Sequence, residues 1–512
     1  MTELRFCLTD RVHQECLRTL FPDMNDEMPE HGLLGIIARG TGIRRRTLFL
    51  QRILVPASGD VAWKFGSGLR FSPRYFSRAL DQIAGEPPGT GLLLVHCHPG
   101  PTLDPSIPPV PSSPDLRHER DLLCYASRAL AAGAPVAAGI VSPPGGWRIR
   151  EYSWPRPLTL KEANSPRFGP KSGAYQDANI VHVIGAKRTI IRSPGMPKFE
   201  SVPPWDSTIR LWGRDGQRVL SCLRVGVVGG GGVGSTLVEF LARLGVGQLV
   251  VVDYDILKDE NRNRAIGSQP RDVGGPKVDY LKRWARTIAT APHFEFIAVR
   301  GSAFEEEGVR PILDCDFVFG AADDAAARQV LDHVAYAYGI PVVDGGTTLV
   351  VDSVTGTVTG KSQVTEAGWG RPCLQCAGVY SLDEVTVALE EEHLRKQDSY
   401  IKVADGTEQV EVPRAPSVIS NNGLVASIMV QRFLRTILGF PPSEGTGVQR
   451  YYVEEGQLRW GAVKGCKSSC PKAAWFGLGD GHPLPTGVDT SWRRIQREEK
   501  LGLETSKSSK VL

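Results

Sequence analysis

The run Leu223–Gly234, LRVGVVGGGGVG, constrains the fold more than any other stretch of this chain. An apolar strand pattern, Leu223 to Val228, ends in Gly229-Gly230-Gly231-Gly232-Val233-Gly234, and a helical pattern begins at once. A second apolar strand, Gly247 to Val252, closes on Asp253. Strand, glycine turn, helix, strand and acid in that order predict a βαβ unit that binds a nucleotide. Gly229 permits the tight turn, Gly231 lets backbone N–H groups approach a phosphate, and Gly234 lets the helix pack close to the strand. The helix N-terminus then offers unpaired N–H groups and positive potential to an anion. Asp253 stands at the spacing of a ribose-binding carboxylate.

The alternation continues on both sides. From about Asp206, strands at Phe294–Val299, Asp316–Phe319 and Ile340–Val343 interleave with helices at Lys277–Thr290 and Ala325–Tyr338. This pattern predicts a doubly wound, Rossmann-like, mostly parallel sheet covered on both faces. A long amphipathic helix is expected over Asn421–Leu438. The first part, to about residue 155, also mixes strands (Gly32–Ala38, Thr47–Val55, Gly91–Val95, Val136–Val141) with a helix over Leu116–Ala131, which makes it a separate α/β domain. Residues 156–205, rich in proline, glycine, serine and lysine around one apolar strand at Asn179–Ile184, read as a connector. The nucleotide domain is expected over 206–475, followed by a charged, serine-rich tail over 476–512.

Composition excludes several classes. A chain of 512 residues is too long for one typical core. A formal net charge of +4 gives no reason to expect nucleic acid or a membrane surface as the main partner. The opening MTELRFCLTDRVHQE has no apolar core of a signal peptide, and no apolar run has the length of a bilayer span. A cytoplasmic location is the expectation.

The residues after the turn argue for a triphosphate over a dinucleotide. Asp253-Tyr254-Asp255 leads to Asn261-Arg262-Asn263-Arg264, then Gly274-Gly275-Pro276-Lys277 opens a helix. Further on, Ala321-Ala322-Asp323-Asp324 is followed by Arg328. Cations suit β- and γ-phosphates, and a carboxylate suits Mg²⁺. The run from Arg210 through VGGGGVGS, DYDILKDENRNR, GGPK and AADD resembles the adenylation domain of the ThiF/MoeB and ubiquitin-activating-enzyme family, over roughly residues 206 to 475. The resemblance implies that Asp253 holds the ribose and that Asn261, Arg264 and Lys277 contact phosphates, with Asp255 beside them. It assigns Asp323 to Mg²⁺ and the attacking carboxylate. It also implies a homodimer, and attack by a C-terminal glycine carboxylate on the α-phosphate of ATP. Where the family carries an Arg-Gln pair whose arginine reaches across the dimer, this chain has Ser207-Thr208.

Of the ten cysteines, four form two close pairs, Cys373-Leu374-Gln375-Cys376 and Cys466/Cys470. Four thiolates so spaced suit tetrahedral Zn²⁺, and the resembled family often carries such a structural zinc. Its thioester-forming cysteine usually falls between the pairs, where none occurs here. Either the reaction stops at the adenylate, or Cys373 or Cys376 is a nucleophile instead of a ligand.

A second metal constellation lies in the first domain. His96-Cys97-His98-Pro99 follows a buried strand, and Ser112-Ser113-Pro114-Asp115 precedes a helix. Two histidines at i and i+2 can share one metal, with Asp115 as third ligand and a position left for water. The proton acceptor is Glu30, or alternatively Glu27. The set resembles the JAMM (JAB) isopeptidase motif over about residues 1 to 155, which implies a catalytic zinc and an oxyanion role for Ser112. Together the two halves predict an enzyme that activates a ubiquitin-like protein through its C-terminal glycine and also processes it, with a conjugating enzyme as a further partner. The alternatives are activation of a sulfur-carrier protein, a NAD-binding oxidoreductase, and a non-catalytic scaffold.

Overall fold

A computed structural model describes residues 2–22, 30–64, 68–98, 109–143, 146–153, 174–185, 188–192, 199–351, 355–389, 416–439, 447–461, 463 and 465–486. Glu27, most of the loop after His98, and the tail from 487 lie outside them. The chain divides into two compact units. The first is Met1–Lys198 with Ala337–Gly339 and Ala474–Pro483; the second is Phe199–Tyr336, Ile340–Ala473 and Leu484–Leu512. Among the described residues, no helix is long and apolar enough to cross a membrane.

The first unit runs β1 (Glu3–Thr9), α1 (Asp10–Leu20), β2 (Gly32–Thr41), β3 (Arg45–Leu54), β4 (Val61–Lys64), β5 (Gly68–Phe71), α2 (Pro73–Ala84), β6 (Thr90–Cys97), α3 (Ser113–Ala129), β7 (Val136–Ser142), β8 (Gly146–Ser153), β9 (Ala174–Asp177), β10 (Ile180–Ile184) and β11 (Arg188–Arg192). Its nine-stranded sheet has the order β11-β10-β1-β3-β2-β6-β7-β8-β9. The near-continuous apolar run of β2 follows from burial on both faces. Leu33 and Ile37 pack with Val12, Cys16 and Leu20 of α1, while Leu34 and Ile36 pack with Tyr75, Ala79 and Ile83 of α2 and Leu123 of α3. Strands β9 to β11 fall in the stretch read as connector. They pair onto both ends of this sheet, so the first unit extends to Lys198, beyond residue 155. Strand β10 is the apolar strand expected at Asn179–Ile184, whereas β9 and β11 are short and carry too few apolar residues to stand out.

The second unit opens with α4 (Asp206–Cys222), β12 (Arg224–Val228), α5 (Gly232–Arg243), β13 (Gln248–Val252) and α6 (Lys277–Ile288). It continues with β14 (Glu295–Val299), α7 (Glu306–Leu313), β15 (Phe317–Gly320), α8 (Ala325–Ala337), β16 (Val342–Val351), β17 (Val358–Ala367), α9 (Leu382–Leu389), α10 (Ile419–Leu438), β18 (Val448–Tyr452) and β19 (Gln457–Trp460). Its sheet has the order β14-β13-β12-β15-β16-β17-β18-β19. The pairs from β14 to β16 are parallel, and those from β16 to β19 antiparallel. The strand order therefore reverses around β12, which opens a crevice at the carboxyl ends of β12, β13 and β15. Strand β16 is longer than the expected Ile340–Val343. It runs on through β-branched residues into a hairpin with β17. Helix α10 covers the sheet: Phe433 meets Phe317 edge-on with centroids 4.9 Å apart.

Candidate functional site

The crevice of the second unit is built on the glycine turn. Gly229 has φ +99°, and a Cβ there would stand 2.5 Å from the Ala321 carbonyl oxygen. A Cβ on Gly234 would stand 1.8 Å from the Gly229 oxygen, so only glycine lets α5 sit this close under the turn. At Gly231 a Cβ would meet nothing within 4 Å, because that position faces the crevice. Asp253 fixes the turn from the next strand: its Oδ2 accepts from Gly230 N at 2.6 Å and its Oδ1 from Asp255 N at 2.7 Å.

An open cleft of about 680 Å³ starts here. Gly229, Gly231, Asp253, Asp255, Arg264, Lys277 and Asp323 all line it. Lys277, the first residue of α6, puts its Nζ 2.8 Å from Asp255 Oδ2. Burial pushes the Asp253 carboxyl above its ordinary range, with the Lys277 charge opposing. Burial also disfavours the Lys277 ammonium, but Asp253 and Asp255 outweigh it and lift its pKa. The lysine therefore stays charged. Arg264 Nη1 donates to the Glu260 carbonyl and to Asn263 Oδ1, each at 3.0 Å.

Two of the expected binding residues stand apart from the cleft lining. Gly234 acts underneath, through the close approach just given. Asn261 ends a short 3₁₀ turn, Asp259–Asn261, and its Oδ1 accepts from Lys258 N at 3.1 Å, so its side chain shapes the loop that carries Arg264. Arg262, on the same loop, pairs with Asp259 at 2.7 Å. Ser207 and Thr208 lie in the first turn of α4, where Thr208 Oγ1 donates to the Trp205 carbonyl. Arg210 pairs with Asp206 at 2.6 Å.

Sequence reasoning named Arg328 and passed over two other lining residues, Asp344 and Asn422. Asp344 on β16 is 3 % exposed and holds Arg328 Nε at 3.4 Å. Burial pushes its carboxyl up to about 6 against the pull of Arg328. Asn422 of α10 reaches the turn so closely that a Cβ on Gly232 would stand 2.1 Å from its Nδ2. Both come from elements distant in sequence from the glycine run, a strand and a helix whose local patterns carry no sign of the crevice.

The cysteine pairs converge. Sulfurs of Cys373, Cys376, Cys466 and Cys470 lie within 4.8 Å of one another, a donor set that could hold one metal ion. Cys466 Sγ accepts from Cys373 N at 3.2 Å, and hydrogen bonding from the Cys373 thiol brings its own pKa down to about 5. Four thiols converging on one point fit tetrahedral thiolate ligation. Helix α8 connects this centre to the cleft. Arg328, Asp332 and Tyr336 recur at the spacing of one helix face. The first lines the cleft, while Asp332 Oδ1 accepts from Leu374 N at 2.7 Å and Tyr336 Oη lies 3.4 Å from Cys466 Sγ.

In the first unit, His96 is the last residue but one of β6, and His98 follows the strand. Their Nε2 atoms lie 3.7 and 3.3 Å from Asp115 oxygens and 3.2 Å from each other. These three donors form the second group that could hold a metal. The spacing Ser112-x-x-Asp115 also has a local cause. It is a capping box: Ser112 Oγ accepts from Asp115 N at 3.2 Å, and Ser112 N donates to Asp115 Oδ2 at 2.7 Å. Capping thus fixes the Asp115 carboxylate at the head of α3. Burial opposes ionisation of Asp115, but hydrogen bonds from His96, His98 and Ser112 hold its carboxyl far below the usual range. Strand β2 pairs Gly32 with His96, and Cys97 N donates to the His31 carbonyl at 2.9 Å. Continuing that register sets Glu30 opposite His98.

A doubly wound sheet with a glycine turn, an acid on the second strand and a lysine opening the next helix defines a nucleotide-binding domain. The ThiF family model matches residues 206–471, a little over half of the chain, and the protein belongs to the ThiF family. The adenylyltransferase and sulfurtransferase uba4 of Aspergillus clavatus is 28 % identical over 218 residues, 40 % of this chain and 42 % of the relative. The SAMP-activating enzyme E1 of Haloferax volcanii is 34 % identical over 149 residues, 27 % and 54 % of the two chains. The molybdopterin-synthase adenylyltransferase of Escherichia coli is 30 % identical over 162 residues, 32 % and 61 %. The chain thus spans about half the length of the curated relatives it matches. A crystal structure of E. coli MccB with ATP aligns with 55 % of this chain and 76 % of its own, at 14 % identity and a TM-score of 0.41.

Proposed function

We propose that the second unit adenylates the C-terminal glycine of a ubiquitin-like protein. The observation that carries this reading is the convergence of Asp253, Arg264, Lys277 and Asp323 on one cleft at the glycine turn. The adenosine ribose hydrogen-bonds to Asp253, and the turn and the α5 N-terminus receive phosphate. Lys277 and Arg264 stabilise charge that grows on the β- and γ-phosphates. A glycine carboxylate oxygen attacks the α-phosphorus, the bond to the β-phosphate bridging oxygen breaks, and pyrophosphate leaves. The product is an acyl-adenylate. Asp323 would hold the Mg²⁺ that supplies further charge neutralisation. Electrostatic positioning provides most of the rate, because no covalent group from the protein is needed. ATP–pyrophosphate exchange that depends on the protein substrate tests the reading.

The same chemistry serves a sulfur-carrier protein. The names of the A. clavatus and E. coli relatives, a sulfurtransferase and a molybdopterin-synthase adenylyltransferase, favour that second reading. Exchange with a sulfur-carrier protein and none with a conjugated ubiquitin-like protein would select it.

For the first unit we propose a JAMM-type zinc isopeptidase site that processes or releases the same kind of substrate. His96, His98 and Asp115 fit such an ion by donor type and convergence. Zinc bound there supplies Lewis-acid activation of water. Glu30 takes the proton, and Ser112, tied to Asp115, offers its O–H towards a developing oxyanion. Cleavage of a Gly–Lys isopeptide that Glu30→Gln abolishes would support this reading. Unchanged cleavage in that variant would refute it.

A further inference from the structure

Lys472 is an ammonium buried where a charge is costly: it is 4 % exposed, in the short turn Pro471–Trp475 that follows Cys470. Its Nζ lies 2.9 Å from Asp332 Oδ2, 2.8 Å from Gln375 Oε1, 3.0 Å from Tyr380 Oη and 3.7 Å from Cys373 Sγ. Asp332 is fully buried and already accepts from Leu374 N, Gln375 N and the Tyr380 hydroxyl, at 2.7, 3.2 and 2.9 Å. The carboxylate is therefore satisfied by the loop between Cys373 and Cys376 before the lysine is counted. A structural ion pair alone does not require the ammonium to face a sulfur.

A metal with two positive charges held by four thiolates carries a net negative charge. In a buried setting that charge must be met by donors aimed at the sulfurs. Here two of the sulfurs face donors. Cys466 Sγ has Cys373 N at 3.2 Å, while the Tyr336 hydroxyl, 3.4 Å away, donates to the Arg371 carbonyl at 2.7 Å. Cys373 Sγ has Cys376 N at 3.3 Å and Lys472 Nζ at 3.7 Å. Lys472 is the only full positive charge among these three donors.

We propose that Lys472 is a positioning residue of the four-cysteine metal centre: its ammonium, oriented by Asp332, Gln375 and Tyr380, is the fixed counter-charge that strengthens metal binding through Cys373. The inference rests on the reading that the four cysteines hold zinc. The Asp332–Lys472 pair serves the metal and not only the fold.

The test uses the full chain loaded with Zn²⁺ or Co²⁺. The variants are Lys472→Met, and Lys472→Met combined with Asp332→Asn so that no buried charge is left alone. Competition with a chromophoric chelator is expected to show zinc binding weakened roughly 10- to 100-fold in both variants. The sulfur-to-cobalt charge-transfer band is expected to move to longer wavelength, because a thiolate without its cation gives up an electron more readily. A merely structural role moves neither readout once the double variant is shown to melt like the parent. Parental zinc affinity with an unshifted band in the double variant would overturn the proposal. A parent chain that binds no zinc or cobalt would overturn it together with the zinc reading, whereas a parent that binds both isolates the role of Lys472.

Discussion

Lys277 and Asp255 stand 2.8 Å apart beside the glycine turn, and each carboxylate oxygen of Asp253 accepts one backbone N–H. The lysine is therefore held at the cleft by one acid while the other shapes the turn. Replacing it leaves the turn intact and removes the positive charge. Lys277→Ala is expected to lower ATP–pyrophosphate exchange by roughly 10²-fold or more while the protein melts within a few degrees of the parent. Exchange at the parental rate would show that the lysine serves the loop alone.

Gly234 tests the turn itself. A methyl group 1.8 Å from the Gly229 oxygen forces α5 away from β12. Overpacking of this kind costs about 1–3 kcal/mol or more. Gly234→Ala should lower the melting temperature measurably and abolish nucleotide binding in calorimetry. Gly231→Ala, where a Cβ meets only open space, should fold like the parent and lose affinity through crowding of the phosphates.

The buried carboxyl of Asp344 gives a pH signature. Its folded pKa, pushed up to about 6, exceeds the unfolded value of about 3.9. Between those values the folded protein keeps a proton that the unfolded chain has lost. The contribution of this group to stability thus falls as pH rises from about 4 to 6, and is flat above. Asp344→Asn removes that dependence. Urea midpoints should show the variant gaining on the parent by up to about 3 kcal/mol across that window. A difference between the two that stays constant from pH 4 to 8 would contradict the raised pKa.

Two metal centres on separate donor sets should load independently. The parent is expected to bind two zinc ions per chain. His96→Ala with His98→Ala should remove one and leave the four-cysteine centre filled, and Cys373→Ser with Cys466→Ser should remove the other. Loss of the cysteine-bound ion should also lower thermal stability and weaken nucleotide binding, since Gly378 and Val379, just past Cys376, line the cleft. Full zinc content in the histidine variants would remove the case for a metal site in the first unit.

Much of this was readable before the structure. The period of apolar residues gave the strands and helices around the glycine turn, because those elements are buried on both faces. Asp253, Lys277 and Asp323 stand out in the sequence, and all three line the cleft. The β16–β19 meander was harder, since its outer strands are half exposed and carry arginine, glutamine and tyrosine where an apolar pattern would be expected. The pair Lys472–Asp332 joins residues 140 apart in sequence, and Arg328–Asp344 joins a helix to a strand. Such contacts are set by packing, which no local spacing encodes. Ser112-x-x-Asp115 shows the reverse case: a spacing read as chemistry is also a capping box, and both uses need the same geometry.

Substrate-dependent exchange of radiolabelled pyrophosphate into ATP is the most direct measurement, run with a panel of ubiquitin-like and sulfur-carrier proteins that end in glycine. Exchange is expected with at least one of them, and is expected to disappear when its terminal carboxylate is amidated or when Lys277 is replaced. No exchange with any member of the panel, together with tight binding of NAD and hydride transfer from NADH, would contradict the account.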